Sequence, residues 1–420
     1  MDNLDSYSLI VIFSLVIIVS YFFNLYAKKS GIPAVLMLIG LGIIIHYGLL
    51  LFDGININLL RPLKVLGIVG LILIVLEAAL ELRLKKEKIP LLIKSFLVAV
   101  LGLSGTAYLI AFCFTYFLHM SILDSLLFGI PLSILSSAII LPSIDDLDEE
   151  KREFMIYEST FSDIVGIVGF HSVLTMVDGP QVTGHLYGKI FGGLAITVVF
   201  SIIISYILIY VFQNIKGHVK LFLLIAILLL LFSVGEMLGK YDSLIIILIF
   251  GVILNNYKVF FRGGLMKLLN EERVVEVLYD MKVVTRETAF VVRTFFFIIF
   301  GWSVSLGSLI SFSAIGLGLL VLAIIYLVRT IVLFIFGGKD IFPQLFLAPR
   351  GLITILLFFV IPENLRSNYD LGGVLLFVIF LSCVVMSWAL MEQKKKLATE
   401  FLDDENKDSS LEQECEIIEE

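Results

Sequence analysis

Apolar segments long enough to cross a bilayer follow one another from about residue 7 to residue 391, separated by short loops that carry most of the charge. Within hydrocarbon every backbone amide and carbonyl must be paired inside the protein, so segments of about 20 apolar residues are read as helices. About 13 spans are predicted, near residues 7–26, 33–52, 62–82, 91–117, 122–141, 154–176, 187–212, 219–238, 241–256, 287–306, 309–336, 341–361 and 370–391. The fold class is an all-α polytopic membrane protein. Charged residues make up 16% of the chain, against roughly 25% in a soluble domain.

Loop charges set the expected orientation. Lys85, Lys86, Lys88, Lys151, Arg152 and the run Lys394–Lys396 fall on one side, and the opposite side carries few cations, among them Arg61, Lys64 and Arg366. This places the N-terminus outside and the C-terminus in the cytoplasm, in a multi-pass protein of the plasma membrane, or of the inner membrane in a Gram-negative cell. The start Met1-Asp2-Asn3-Leu4-Asp5 has no basic region, so the first span is expected to be retained rather than removed as a signal peptide. Cys113, Cys383 and Cys415 form neither a disulfide framework nor a metal-ligand spacing. Residues 392–420 are expected to be an acidic, disordered tail. The long inner loop from Tyr257 to Arg286 carries Leu265, Leu268, Leu269, Val275, Leu278 and Met281 at roughly helical spacing, which predicts an amphipathic connecting helix on the inner face.

Chemistry concentrates in the sixth span, in Tyr157-Glu158-Ser159-Thr160-Phe161-Ser162-Asp163-Ile164-Val165-Gly166. On a helix Glu158, Ser159, Ser162 and Asp163 share one side, an oxygen-rich stripe in an apolar cylinder. A carboxylate at membrane depth costs at least a few kcal/mol and faces a partner, an ion or an aqueous path. The other ionisable groups inside spans include Glu77, Arg293, Arg329 and Arg350, and these arginines require anionic partners or the C-terminal ends of half-helices. Glu158 and Asp163 are the acids closest to hand for them. Two spans carry breakers: Gly129-Ile130-Pro131 followed by Ser133, Ser136 and Ser137 in the fifth, and Ala348-Pro349-Arg350-Gly351 in the twelfth. They lie an odd number of spans apart and so run in opposite directions, the pattern of inverted-topology repeats with two discontinuous crossing helices.

These residues together resemble the monovalent cation:proton antiporter superfamily, in particular the sodium/proton exchangers of the NhaP type. The sixth-span stretch is similar to the family's Glu-Ser-x-x-Asn-Asp, Leu76-Glu77-Ala78-Ala79-Leu80 to its Phe-Glu-Gly-Gly-Leu, and Phe295–Gly301 to its aromatic run before glycine. Arg329 and Arg350-Gly351 occupy matching places in spans eleven and twelve. The chain departs from the pattern at Ser162, where the family has asparagine or a second aspartate, and at Ser136-Ser137-Ala138, where many exchangers have Thr-Asp-Pro and the potassium-efflux branch has Ser-Ser-Thr.

The resemblance implies a homodimer in which residues 1–90 and 219–306 form a scaffold, the latter part including the cytoplasmic amphipathic linker. Residues 91–176 and 307–391 would form an ion-translocating core, with 177–218 as a linker helix. It further implies that Asp163 carries the ion and the proton in turn, that Ser159 and Ser162 lie at the site, that Ser136 and Ser137 are near the ion, and that Glu77 is a possible ligand from the scaffold. Glu158 and Arg329 would form a structural ion pair, and Arg350 would sit at a half-helix end. The partners are a monovalent cation (sodium, with lithium or potassium also open), the proton and membrane lipid; no cofactor and no nucleic acid are expected. The expected activity is electroneutral cation/proton antiport by alternating access. A potassium/proton antiporter, a channel or non-transporting relative, and an organic-anion symporter of similar architecture remain open. No His-Glu-x-x-His, Gly-x-Ser-x-Gly or Ser-Lys pattern points to an enzyme.

Overall fold

The computed structural model describes residues 6–30, 32–50, 60–84, 86–178, 185–215, 220–238, 243–262, 266, 269–303, 311–338, 340–369 and 371–419. Regular structure among them is helical. The helices are α1 (Ser6–Ser30), α2 (Ala34–Leu50), α3 (Leu60–Glu81), α4 (Ile89–Leu118), α5 (Ile122–Ser133), α6 (Ser137–Ile140), α7 (Glu149–Asp178) and α8 (His185–Asn214). They continue with α9 (Lys220–Leu238), α10 (Ser243–Asn255), α11 (Tyr257–Phe260), α12 (Glu271–Trp302), α13 (Phe312–Gly337), α14 (Leu352–Val360), α15 (Glu363–Tyr369) and α16 (Gly372–Glu419). Among the described residues, seven helical stretches are long and apolar enough to cross a membrane, and three shorter apolar helices accompany them.

Local signals explain where these elements begin. Ser121, Asn270 and Ser311 each accept a hydrogen bond from the backbone amide three residues on, at the starts of α5, α12 and α13. Proline in the first turn of α4 sits where no intrahelical donor is needed.

Packing sorts the helices into two sets. One joins α2 and α3 to α12, with α1 alongside, and α10 to α3, α8 and α9; the other joins α4 to α5, α7 and α13, and α13 to α16. In the first set α2 and α12 meet backbone to backbone. A Cβ on Gly42 would overlap the Ile298 carbonyl, and a Cβ on Gly301 would overlap the Ile39 carbonyl, so glycine at both positions permits the close approach. The sets touch where α3 meets α6, α7 and α14. That boundary includes Leu356 of α14 against Gly67 and Leu352 against Gly70.

Two expectations change and a third is refined. The second half of the inner loop is not a separate interfacial helix: Val275, Leu278 and Met281 lie on α12, which runs unbroken into the tenth span because neither glycine nor proline interrupts residues 271–300. Leu265 and Leu268 lie outside the described residues. The twelfth span is interrupted as expected, but its first half is a run of turns at 342–346 in place of a half-helix; 347–351 have no regular structure, and α14 starts at Leu352. Finally, α16 stays helical to Glu419, where a disordered tail is predicted. Residues 389–405 are rich in Ala, Leu, Lys, Glu and Gln, strong helix formers, and helix propensity outweighs the acidity there.

Candidate functional site at the crossing of two broken helices

Pro131 removes one hydrogen bond from the last turns of α5, and the helix stops two residues later. Residues 134–136 are extended before α6 restarts at Ser137. The Ser136 amide donates to the Pro349 carbonyl at 3.0 Å, which ties this unwound stretch to the unwound stretch before α14. Gly351 lets the two stretches approach closely, since a Cβ there would meet the side chains of Ser136 and Ile139 and force them to shift. Arg350 is buried and donates from Nε to the Leu132 carbonyl at 2.6 Å and from Nη1 to the Ala348 carbonyl at 3.0 Å. Its cation therefore meets the negative end of α5 rather than a carboxylate.

Asp163 reaches this crossing from the middle of α7 and is 3% exposed. The Ser137 hydroxyl donates to its Oδ2, while Oδ1 is buried without a hydrogen-bond partner. Asp163 and Thr160 line a cleft of about 20 Å³ between α7, α3 and α10, together with Val75, Ala78 and Leu244. That is space for one water-sized species.

The neighbouring groups divide by role. Ser162 accepts the Leu135 amide at 3.0 Å, pairing a donor that the unwound backbone would otherwise leave buried and unmatched. Replacing Ser162 by Ala is expected to lower stability by about 1–3 kcal/mol through that orphaned amide, as read from thermal melts in detergent. Ser159 donates to the Ile156 carbonyl in its own helix at 3.3 Å, so only its oxygen lone pairs are available to a cation. Glu158 and Arg329 form a two-pronged pair at 2.6 and 3.0 Å. Arg329 also donates from Nη2 to the Gln344 carbonyl at 2.7 Å and from Nε to the Leu345 carbonyl at 3.1 Å. Glu77 on α3 lies with its Oε2 3.4 Å from Nη1 of Arg293, an ion-pair contact in which that buried oxygen accepts no hydrogen bond.

Each intramembrane arginine is thus accounted for without Asp163, which has no lysine or arginine within ion-pair distance among the described residues. Three participants carry no assignment from the sequence: Thr160 in the cleft wall, the Leu135 amide and the Pro349 carbonyl. The partners of individual backbone donors and acceptors carry no side-chain signal.

Just before α4, Lys88 lies against Glu153, whose hydrogen bond raises the lysine above its ordinary value. The Lys151 ammonium, 2.7 Å from Asp340, holds that carboxyl below the usual carboxylate range.

A buried carboxylate at the meeting point of two interrupted membrane helices, with hydroxyls around it and no fixed counter-charge, defines a membrane ion carrier rather than an enzyme. The family profile described as "Sodium/hydrogen exchanger, transmembrane" matches residues 11–392, and the chain belongs to that family, within the monovalent cation:proton antiporters. The fold is similar to the structure of the sodium proton antiporter MjNhaP1 from Methanocaldococcus jannaschii at pH 8, with a TM-score of 0.68 and 20% identity over 91% of this chain and 97% of that one. A second structure of MjNhaP1, from electron microscopy, matches with a TM-score of 0.70 and 19% identity over 95% and 99% of the two chains. No curated protein matches the chain.

Proposed function

We propose that this protein is a secondary antiporter that exchanges a monovalent cation, sodium first among them, for protons. The observation that carries the reading is Asp163: one oxygen held by Ser137, the other unpaired, and no arginine in attendance. Hard monovalent cations take carboxylate, hydroxyl and carbonyl oxygens, by the logic that assigns oxygen sites to magnesium and calcium. A carboxylate with no permanent cation beside it holds either the metal ion or a proton, and the two compete for the same oxygens. The sodium proton antiporter named in the structural comparison supports sodium as the first candidate.

Transport then requires that Asp163 face the two sides in turn. The set built on α4, α5, α7, α13 and α16 moves as the core, carrying the crossing, and the set built on α1–α3, α9, α10 and α12 stays as the scaffold, with α8 as linker. The protein works as a homodimer in the plasma membrane, N-terminus outside. Glu158 and Arg329 keep the core rigid while it moves.

Exchange is electroneutral in this reading, because one carboxylate swaps one proton for one cation and Glu77 keeps the Arg293 cation 3.4 Å from its Oε2 as a counter-charge. Proton flux into proteoliposomes with sodium, lithium and potassium offered separately tests the activity and the ion. Dominance of potassium would favour the alternative suggested by Ser136-Ser137-Ala138, and proton flow without a counter-cation would favour a channel. A membrane potential of about 100 mV contributes roughly 2.3 kcal/mol per net charge moved; the reversal point is expected not to shift with it. A shift would refute one-for-one exchange.

A further inference from the structure

Arg293 lies on α12, outside the set of helices that holds Asp163, yet it touches that set at one polar point. Its Nη1 is 3.4 Å from Oε2 of Glu77 on α3 and 3.5 Å from the carbonyl oxygen of Ala138 on α6. The carbonyl is free for a reason written in the sequence. In a continuing helix the amide of residue 142 would take it, and residue 142 is proline. The next carbonyl, that of Ile139, is instead taken by the Ser143 hydroxyl at 2.7 Å. Ala138 directly follows Ser137, whose hydroxyl holds Asp163. The nearby contacts of α14 with Gly67 and Gly70 across the same boundary are apolar, through Leu356 and Leu352.

We propose that Arg293 is a positioning residue of the transport cycle: anchored by Glu77, it clasps the half-helix α6 through the carbonyl that Pro142 leaves open, and must release it when the core moves. The inference rests on the antiport reading and its division into core and scaffold. The physical argument is one of difference between states. Apolar side chains slide past one another at little cost because dispersion contacts are re-formed one step along. A hydrogen bond to one carbonyl is lost within about 1 Å of displacement, since the donor–acceptor range is narrow. A contact made in one end state only shifts the balance between states and the rate of leaving, whereas a contact kept throughout does neither. Arg293–Glu77 joins two helices of the same set and persists; Arg293–Ala138 does not. Arginine suits the task because its cation stays beside the Glu77 carboxylate while the same Nη1 donates to the Ala138 carbonyl.

Two variants separate the clasp from simple charge pairing. Pro142→Ala supplies an amide for the Ala138 carbonyl and competes with Arg293 while leaving the Glu77 pair intact. Glu77→Gln with Arg293→Gln removes the clasp without stranding a buried charge. In proteoliposomes both are expected to change the maximal exchange rate in the same direction, by about three- to tenfold, the net range of one ordinary hydrogen bond. The cation KM is expected to move less than twofold. Hydrogen exchange at residues 137–141 of the purified double variant is expected to quicken by a similar factor, and this holds whether or not the protein exchanges cations for protons. Unchanged maximal rates, or a KM change in place of a rate change, would overturn the clasp. Should the unsubstituted protein move no protons with any cation, the antiport reading fails instead, and unaltered hydrogen exchange in the double variant would then also dispose of the clasp.

Discussion

Asp163→Asn is expected to reduce cation-dependent proton movement to the level of protein-free vesicles while the protein stays folded. The amide oxygen can still accept from Ser137, so the one hydrogen bond that fixes the side chain is retained. What disappears is the negative charge and the capacity to take up a proton. No neighbour can substitute, because Glu158 is bound to Arg329 through both oxygens and Glu77 is paired with Arg293. Fluorescence of a pH-sensitive dye in proteoliposomes after a sodium pulse provides the measurement, with a thermal melt as the control for folding. Transport at the normal rate would remove Asp163 from the mechanism and direct attention to Glu77.

The second large effect is on stability. Glu158 is 1% exposed and Arg329 7% exposed, so their pair is cut off from water. Removing one partner leaves an uncompensated buried charge at a cost of about 3–5 kcal/mol, and Glu158→Gln is expected to lose that much. Arg329→Met should lose at least as much, since the Gln344 and Leu345 carbonyls also forfeit their donor. The double variant Glu158→Gln/Arg329→Met is expected to fall well short of the sum of the two single losses. Denaturation of the four proteins in the same detergent closes the cycle, and a coupling near zero would mean that the pair does not hold the core.

The two variants probe different degrees of legibility. The sixth-span stripe was readable because the helical repeat makes Glu158, Ser159, Ser162 and Asp163 neighbours whatever else the chain does. The residues alone did not say which acid met which arginine; the Glu158–Arg329 pair and the place of Arg350 at a half-helix end were expected only from the family resemblance. Arg293, Arg329 and Arg350 looked alike as cations at membrane depth, with Asp163 an eligible partner. In the fold one takes Glu77, one takes Glu158 and one takes carbonyls at a helix end, and Asp163 takes none. Ser162 shows the same limit: in the motif it stands where a ligand is expected, and in the fold it accepts the Leu135 amide.

The helical class, the membrane setting and the two interruptions are consequences of local chemistry: apolar length, backbone groups that hydrocarbon will not solvate, and prolines that cannot donate. They are present in any conformation the chain adopts within a bilayer. The choice of partners is different in kind, because it depends on which carbonyls the unwound segments leave open and on how far apart α7, α12, α13 and the crossing come to rest. Coulombic and hydrogen-bond energies change over distances of an ångström. Packing sets those distances over the whole molecule, and so it is packing that leaves Asp163 without a counter-charge.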